Sequence, residues 1–296
     1  MRPAELHGLT RTRVLMLDGG LGSVLIAAGL EAGRAPEWWN LEHPERIEEV
    51  HRAYLEAGSD VVHTNTFGGN PLRLAAAGLP GRCREINTAA VAIARKACGN
   101  EGLVAGDVGP TGHMLPPLGP ATVDQLRRAF SEQVEVLADA GVDLISIETM
   151  SDRREALAAI EAARATGLAV HASMTFERRS RGVFTIMGDP LVPTLVALVE
   201  AGADAVGCNC SVTSSEMLPM IREAAPRVRA PLSAQPNAGQ PRVTPAGVVY
   251  DASAGAFALD LVAIAEAGAS LVGGCCGTTP EFIRLARAAL KETVGR

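Results

Sequence analysis

The sequence predicts a single (β/α)8 barrel of the TIM type, with a site at the carboxyl ends of its strands. Three observations support this fold class. Short apolar runs rich in Val, Ile, Leu and Ala recur along the chain, amphipathic stretches of helical period separate them, and 296 residues suit eight such units. Apolar strands that alternate with helices are typical of a parallel sheet covered by helices. Residues 1–296 are therefore expected to form one domain.

Eight runs are predicted as strands, in the order in which they occur. They cover residues 14–18, 60–66, 103–107, 143–148, 169–175, 203–210, 231–235 and 270–275. Several helical stretches end in Ala-Gly just before the next strand, as at Gly58, Gly141 and Gly202, where glycine suits a left-handed helix cap. An open doubly wound sheet is the alternative. Its Gly-x-Gly-x-x-Gly fingerprint is absent, because "DGGLGS" has a different spacing.

Composition and charge argue against several classes of function. The net charge is −6 and the chain has no basic run, so nucleic acid is not an expected partner. No stretch approaches the roughly 20 apolar residues of a membrane span, and the N-terminus lacks the long apolar region of a signal peptide. Six cysteines without a disulfide pattern fit a reducing compartment, so a cytoplasmic location is expected. Cys83 and Cys98 fall in a helical stretch and are expected to be buried.

Polar and reactive side chains stand where the predicted strands end. These ends include Asp18, Asp107, Glu148, Cys210, Gln235 and Cys275, together with the stretch from His63 to Thr66. Barrels of this class build their active sites at the carboxyl ends of their strands. The pattern therefore predicts an open cavity at that end of the barrel.

Cys275 and Cys276 end the eighth predicted strand in "GGCCGTTP", and Cys210 ends the sixth. Barrel strands can direct side chains from distant parts of a chain to one mouth. Three thiolates suit Zn²⁺ and leave one of its four positions open, which is the pattern of a catalytic zinc. A substrate thiol bound there would be a thiolate, so the expected chemistry is alkylation of a thiol.

Other roles for these cysteines stay open at this level. Cys275 and Cys276 could be packed free thiols or a redox-active vicinal pair. Cys208 lies two residues before Cys210 and on the same face of the strand, so spacing alone allows either as the third ligand. The position at the strand end favours Cys210 as the ligand, and Cys208 is expected to fill the barrel interior.

Two acidic strand ends, Asp18 and Glu148, predict a site for a substrate ammonium group through charge-assisted hydrogen bonds. A general acid/base pair and, for Asp18, a helix N-cap are the alternatives. Gly19, Gly20 and Gly22 let the backbone approach a ligand, and free amides there could hold a carboxylate. Sites for a sulfur, an amine and a carboxylate together describe a thiol amino acid.

Four further residues are ambiguous. His63 and His113 are metal ligands by type, but a structural histidine is the favoured interpretation of both. Trp38 and Trp39 follow Pro36 closely. They could line the site and contact a methylated cation, or they could pack in the core.

The motifs together resemble those of the homocysteine S-methyltransferases, which include betaine–homocysteine methyltransferase and the homocysteine-binding module of cobalamin-dependent methionine synthase. The similarity extends over nearly the whole chain. It is carried by "LDGGLGS", "HPERIEEVHRAYLEAGSDVVHTNTFGGN", "GDVGPTG", "IETM", "GCNC", "PNAG" and "GGCCGTTP". The combination of Gly-x-Asn-Cys with Gly-Gly-Cys-Cys-Gly is specific, whereas any one piece alone is weak evidence.

The resemblance implies a homocysteine-binding (β/α)8 barrel with a zinc cofactor. It implies that zinc is held by Cys210, Cys275 and Cys276, and that the amino group of homocysteine is bound by Asp18 and Glu148. It also implies that Asn237, in "PNAG", can offer an oxygen to zinc before the substrate sulfur arrives.

The donor side of the site departs from the animal betaine-type enzymes. Those enzymes carry a donor-contacting Tyr just after a Thr-Phe-Thr-Phe motif, and in "TNTFGGN" Gly68 stands in that place. The asparagine of Thr-Asn-Thr-Phe is more similar to the methionine synthase module. By contrast, "PEWWNLEHPERI" and "TNTFGGN" resemble bacterial proteins of the betaine type.

The leading hypothesis is a zinc-dependent transfer of a methyl group to the thiol of homocysteine, forming methionine, with glycine betaine or a related small onium compound as donor. A stand-alone homocysteine-activating module that accepts methyl from a separate methylcorrinoid protein is the first alternative. A non-catalytic thiol-binding zinc protein is the alternative from another class.

Overall fold

The structure is a computed structural model that describes residues 1–31, 33–99, 102–240, 242–244 and 247–294. Within these residues the barrel strands are β1 (Leu15–Met16), β2 (Val61–His63), β3 (Leu103–Val108), β4 (Leu144–Met150), β5 (Ala169–Met174), β8 (Ala205–Thr213), β9 (Leu232–Asn237) and β12 (Ala269–Val272). Two hairpins lie outside the barrel. They pair β6 (Glu177–Arg179) with β7 (Gly182–Phe184), and β10 (Arg242–Thr244) with β11 (Gly247–Val249).

The barrel strands are parallel, in the neighbour order β1-β12-β9-β8-β5-β4-β3-β2. A parallel bridge between Leu17 and Val61 joins the two ends of this order and closes the ring. In the ring β9 lies between β12 and β8, and β3 stands across the barrel from β9. The carboxyl ends of all these strands meet at one mouth, so the predicted (β/α)8 fold is confirmed.

Helices cover the outside of the barrel and close its other end. They are α1 (Pro3–Thr12), α2 (Leu21–Ala27), α3 (Trp39–Glu42), α4 (Pro44–Ala57), α5 (Pro71–Ala76), α6 (Cys83–Cys98), α7 (Val123–Ala140), α8 (Arg153–Arg164), α9 (Leu191–Glu200), α10 (Ser214–Ala224), α11 (Ala254–Glu266) and α12 (Pro280–Val294), with a 3-10 turn at Pro36–Trp38. In the part of the chain that the structure describes, none of the helices has both the length and the hydrophobicity that a membrane crossing requires.

The predicted glycine caps are present. Gly58 ends α4 and Gly141 ends α7, both in the left-handed conformation, with φ of 106° and 94°. At the start of α7, Thr122 and Gln125 form a reciprocal capping box. Each cap satisfies backbone groups that a helix end leaves unpaired, and so directs the chain into the next strand.

An apolar cluster closes the amino end of the barrel. Leu6 of α1 packs there with the early residues of the strands, among them Leu15, Val61, Leu144 and Leu271, all nearly fully buried. Each such leucine contributes about 2 kcal/mol of burial free energy. The charged residues that line the cavity therefore lie toward the carboxyl end of the barrel.

Strand ends differ from the prediction where the chain turns into the site. The strand predicted over 60–66 ends at His63, because the Thr66 amide donates to the Thr64 carbonyl 2.8 Å away and forms a tight turn. The strand predicted to end at Cys210 continues to Thr213. Cys210 and Ser211 adopt φ of 58° and 60°, so the strand bulges before it pairs again with β9.

Candidate active site

A cavity of about 590 Å³ opens at the carboxyl ends of the strands. Most of the residues predicted for the site line it: Asp18, Gly19, Gly20, Glu148, Cys210, Cys275 and Cys276. His63, Asp107 and Gln235 line it as well. The polar strand ends therefore surround one space that is large enough for small-molecule substrates.

The sulfur atoms of Cys210, Cys275 and Cys276 all lie within 4.8 Å of one another. The Cys210 and Cys276 sulfurs are 3.8 Å apart. Sulfurs held tetrahedrally by zinc at about 2.3 Å are separated by about 3.8 Å. These three cysteines are the group of metal-ligating side chains that the described residues bring close enough together to hold a metal ion.

The protonation of the three thiols supports the same interpretation. Hydrogen bonds from Cys275 and Cys276 lower the pKa of Cys210 to about 3. The Cys210 sulfur in turn raises the pKa of Cys275 well above its usual value and that of Cys276 to about 11. Hydrogen bonds among the three sulfurs favour one negative charge in the cluster, and three anions at this spacing would repel one another. A bound dication removes that repulsion, so the donor set fits a metal.

The cysteine loop is held against the end of β9. The Cys275 amide donates to the Pro236 carbonyl at 2.9 Å, and the Cys276 amide donates to Asn237 Oδ1 at 3.1 Å. Cys208 is 1% exposed, lies outside the sulfur cluster and packs with Val206 in the apolar layer between the strands and the helices, so the expectation that it fills the barrel interior was wrong. Cys210 is thus the cysteine of β8 that meets the vicinal pair.

His63 occupies the floor of the cavity between the two predicted acids. Its Nδ1 lies 2.6 Å from Asp18 Oδ1, its Nε2 lies 3.6 Å from Glu148 Oε1, and its amide donates to Asp18 Oδ2 at 2.8 Å. Burial opposes a charge on His63, but the carboxylates of Glu148 and Asp18 outweigh it and raise its pKa to about 10. The predicted acidic pair is therefore a three-membered group with an imidazolium at its centre.

A polar chain continues from His63 through the barrel interior. His63 Nε2 lies 3.1 Å from Ser146 Oγ, which lies 2.9 Å from His171 Nδ1, and His171 Nε2 lies 2.6 Å from Ser233 Oγ. Burial lowers the pKa of His171 to about 3, so this ring is neutral. A protonated His63 can donate from both of its ring nitrogens, which fixes the orientation of its ring.

Asn209 joins the acid side of the site to the sulfur side. Its Oδ1 accepts the Thr149 amide at 2.9 Å, and its Nδ2 donates to Thr149 Oγ1 at 2.7 Å. Thr149 has φ of 59°, and Cys210, the residue after Asn209, has φ of 58°. Left-handed backbone is costly for residues other than glycine and persists only where neighbours hold it. Asn209 supplies such a hold beside both Glu148 and Cys210.

The glycines after β1 let the backbone pass close to the cysteine loop, and the amide of Gly20 is not free. The Gly20 amide is engaged by Thr278, with its carbonyl at 3.2 Å and its Oγ1 at 3.0 Å. The expectation of a free amide at Gly20 was therefore wrong. A Cβ at Gly20 would lie 2.5 Å from the Cys275 carbonyl oxygen, and one at Gly19 would lie 2.7 Å from Thr278 Oγ1. Both positions need glycine so that the chain can pass the cysteine loop.

The ambiguous aromatic residues and His113 lie away from the sulfur cluster. Trp39 is buried in the core against His43. The guanidinium carbon of Arg82 lies over the Trp38 ring, 4.8 Å from the ring centroid. His113 lines a separate, smaller pocket. The cavity wall nearest the tryptophans is formed instead by Pro36 and Glu37. Packing is thus the observed role of both tryptophans.

Sequence reasoning missed Tyr250, which follows the β10–β11 hairpin. Its ring lies over Gly277, where a Cβ would come within 2.3 Å of it, and the side chain lies close enough to Cys276 for that cysteine to affect its pKa. Burial, followed by the charge of Cys276, raises the pKa of Tyr250 well above its usual value, so the phenol keeps its proton. No sequence signal at a lone tyrosine in a turn-rich stretch indicates such a contact.

The sequence profile of the family described as homocysteine S-methyltransferase matches residues 15–290. The chain belongs to the homocysteine S-methyltransferase family. This membership identifies it as a methyltransferase enzyme, and it supports methyl transfer to homocysteine. The resemblance to this family, predicted from the motifs, is therefore confirmed.

Two curated relatives are the methionine synthases of Mycobacterium tuberculosis (strain ATCC 25618 / H37Rv) and Mycobacterium leprae (strain TN). They are 35% identical over 307 residues and 33% identical over 301 residues, covering 97% and 94% of this chain. The chain spans only 25% and 24% of those proteins. Among solved structures, the metallated Escherichia coli homocysteine methyltransferase MmuM is 28% identical with a TM-score of 0.77, covering 93% of this chain and 96% of that one.

Proposed function

We propose that this enzyme uses zinc to transfer a methyl group from a small onium compound to the sulfur of homocysteine, forming methionine. The observation that supports this most strongly is the cluster of three sulfurs within 4.8 Å, at a mouth that also contains buried carboxylates. A thiol site beside an ammonium site matches the two ends of homocysteine. The similarity to MmuM, which covers nearly the whole of both chains, supports the same substrate.

Cys210, Cys275 and Cys276 would hold the metal, because thiolates at this spacing suit zinc better than they suit magnesium or calcium. When bound, zinc lowers the pKa of a thiol in its open position, so that the sulfur is a thiolate near neutral pH. The oxygen of Asn237 accepts the Cys276 amide, so its proposed contribution is to hold the cysteine loop as well as to offer an oxygen to the metal.

Asp18 and Glu148 would bind the amino group of homocysteine. Both are buried, and Gln235 donates to Glu148 Oε1 at 2.8 Å. The positive charge of His63 between the two carboxylates leaves a net charge of about −1, which balances a single ammonium group. His63 is thus proposed to orient the two acids rather than to react.

The reaction joins the homocysteine sulfur to the methyl carbon. The bond from that carbon to the donor sulfur or nitrogen breaks with its electron pair, and the donor leaves as a neutral thioether or tertiary amine. The thiol proton has passed to solvent before this step. Donor atom, methyl carbon and sulfur must lie in line, so the chain contributes mainly by holding the amine at Asp18 and Glu148 and the sulfur at the cysteines.

A second candidate is a stand-alone module that accepts methyl from a separate methylcorrinoid protein. It is favoured by the 35% identity to a methionine synthase of which this chain spans only 25%. Family membership argues against the third alternative, a non-catalytic thiol-binding zinc protein. The three differ in what the purified, zinc-loaded protein does with homocysteine.

The deciding experiment supplies homocysteine with glycine betaine, with S-methylmethionine, or with a methylcorrinoid protein, and measures methionine. Turnover with one of the small onium compounds is expected. Turnover with the corrinoid protein alone would establish the module function. Absence of methionine with all three donors, in protein shown to contain zinc, would contradict a methyltransferase function for this chain.

One domain over residues 1–296 is also part of the proposal. It is supported by the family match over residues 15–290 and by a hydrophobic core that runs from Met16 to Leu290. All six cysteines are free thiols, which agrees with the predicted cytoplasmic location.

A further inference from the structure

We propose that Asp107 binds the positive charge of the methyl donor, and that it selects sulfonium or quaternary ammonium compounds over uncharged donors. This inference rests on the proposed methyl transfer to homocysteine. It assigns to Asp107 a role that is separate from the amino-group site at Asp18 and Glu148.

Asp107 is held in place by its backbone, while the described residues leave one oxygen of its side chain without a hydrogen-bond partner. Its amide lies 3.1 Å from Thr64 Oγ1, and its carbonyl accepts from Thr66 Oγ1 at 2.7 Å and from Gln133 Nε2 at 3.2 Å. The residue is 7% exposed and lines the cavity. Among the described residues, no group forms a hydrogen bond with its buried Oδ1. An unpaired buried carboxylate oxygen is costly unless a ligand satisfies it.

The charges nearest Asp107 do not compensate it. His63 is the cation that faces it, but the ring nitrogens of His63 already contact Asp18 and Ser146. Glu148, Asp18 and Glu37 are the acids that face it, and burial followed by the Glu148 carboxylate raises the pKa of Asp107 well above its usual value. A cationic ligand would offset both effects, so this position favours a positively charged group.

The wall beside Asp107 suits an onium group in shape as well. The Phe67 ring lines the cavity and packs over Gly109, where a Cβ would lie 2.6 Å from the ring. An aromatic face attracts sulfonium and quaternary ammonium groups that cannot donate hydrogen bonds. Glu37, on the same wall, is already engaged, because its Oε1 accepts the Gly68 amide and Arg73 lies close by. Asp107 is therefore the acid of this wall that has an oxygen unpaired among the described residues.

The position of Asp107 in the ring separates it from the sulfur site. It lies one residue before the end of β3, which stands across the barrel from β9. In turn, β9 lies between β8, which carries Cys210, and β12, which the vicinal cysteines follow. In an in-line transfer, the acceptor sulfur, the methyl carbon and the donor's leaving atom lie on one line. The donor must therefore approach the sulfur from the side opposite the groups that hold this sulfur. Its charged atom would therefore lie toward β3, where Asp107 is placed.

The test compares wild type with Asp107→Asn, which removes the charge and keeps the size of the side chain. The donors are the small onium compound that supports turnover and, as an uncharged donor, methyl iodide. We expect the KM for the onium donor to rise by at least about tenfold, as when one partner of a buried charge pair is removed. The KM for homocysteine, the zinc content and the rate with methyl iodide are expected to stay at wild-type values.

Asp18→Asn is the matched control, and it should instead raise the KM for homocysteine. Inhibition by tetramethylammonium gives a readout that does not depend on turnover, and it should weaken in Asp107→Asn only. Circular dichroism checks folding, and Asp107→Ser replaces Asp107→Asn if the latter does not fold.

Two results overturn the inference while methyl transfer itself stands. One is that Asp107→Asn leaves the KM for the onium donor unchanged, whether or not it raises the KM for homocysteine. The other is a wild type that accepts methyl from a methylcorrinoid protein but from no onium compound. Failure of wild type to methylate homocysteine with any donor, methyl iodide included, would instead remove the proposed function.

Discussion

His63 Nδ1 lies 2.6 Å from Asp18 Oδ1, and both groups are buried beneath the cavity. The same ring approaches Glu148 on its other side, so one imidazole separates the two carboxylates. Two buried carboxylates with no cation between them would not both remain ionised. The histidine therefore gives the acidic pair its charge and its orientation.

This relationship predicts a specific pH dependence of stability. The pKa of His63 is raised from 6.5 to about 10, so its contribution to stability is complete below pH 6.5 and is lost as the pH rises through 10. His63→Gln should have a lower melting temperature than wild type at pH 7, and the difference should shrink toward pH 10. Thermal unfolding followed by circular dichroism measures it.

The matched control for this experiment is His113→Gln, which changes a histidine outside the cavity. Its melting curve should remain parallel to that of wild type across the same pH range. If the His63→Gln difference is also constant from pH 7 to pH 10, the ion group on the cavity floor does not exist in solution.

The sulfur cluster predicts that metal content depends on some cysteines and not on others. Cys275→Ala should lose bound zinc and activity while the barrel stays folded, because the core lies below the mouth and excludes the vicinal pair. Cys208→Ala should keep zinc and lose roughly 1 kcal/mol of stability from the small cavity that it leaves. Elemental analysis, together with the sulfur-to-metal charge-transfer band of cobalt-substituted protein, separates the two variants.

The opposite outcome for this pair is equally clear. A Cys275→Ala variant that unfolds completely would point to a structural metal. Loss of zinc from Cys208→Ala, with Cys210→Ala retaining it, would mean that the wrong cysteine of β8 has been assigned to the cluster.

Two neighbouring glycines should respond oppositely to the same change. Gly20→Ala places a Cβ 2.5 Å from both the Cys275 carbonyl oxygen and Ser23 Oγ, although φ of −72° suits alanine. It should displace the cysteine loop, weaken zinc binding and raise the KM for homocysteine. Gly22→Ala meets nothing within 4 Å and lies in α2, so it should keep activity and gain about 0.5–1 kcal/mol of stability.

Zinc titration with a competing chelator and thermal unfolding check both variants. Equal zinc affinity in Gly20→Ala and Gly22→Ala would contradict this prediction, because it would show that the cysteine loop accommodates a Cβ at position 20.

The barrel and the sulfur cluster were predictable because each rests on a local pattern. Continuous apolar strands that each end in a polar residue indicate a parallel barrel with a site at one end. The cysteines carry a ligand chemistry that few other roles share. The two hairpins were not predicted. Charged runs such as the one around Arg178–Arg181 lack the apolar alternation that marks a strand.

The contacts on the cavity floor could not be predicted in the same way. Whether a histidine faces the core or a carboxylate depends on the strand register and on bulges, and sequence does not specify either to one residue. His63 was accordingly interpreted as structural, and its place between Asp18 and Glu148 was missed. The same holds for Tyr250, which reaches Cys276 only because the glycine at 277 leaves space for its ring.

The single amide of Asn209 has a further consequence for how this protein can change over time. It braces a turn next to an acid on β4 and a turn next to a sulfur on β8, so an exchange at this position would disturb both ends of the substrate at once. Evolution toward new methyl donors should therefore proceed through the wall of Asp107 and Phe67, which can vary without disturbing these two turns.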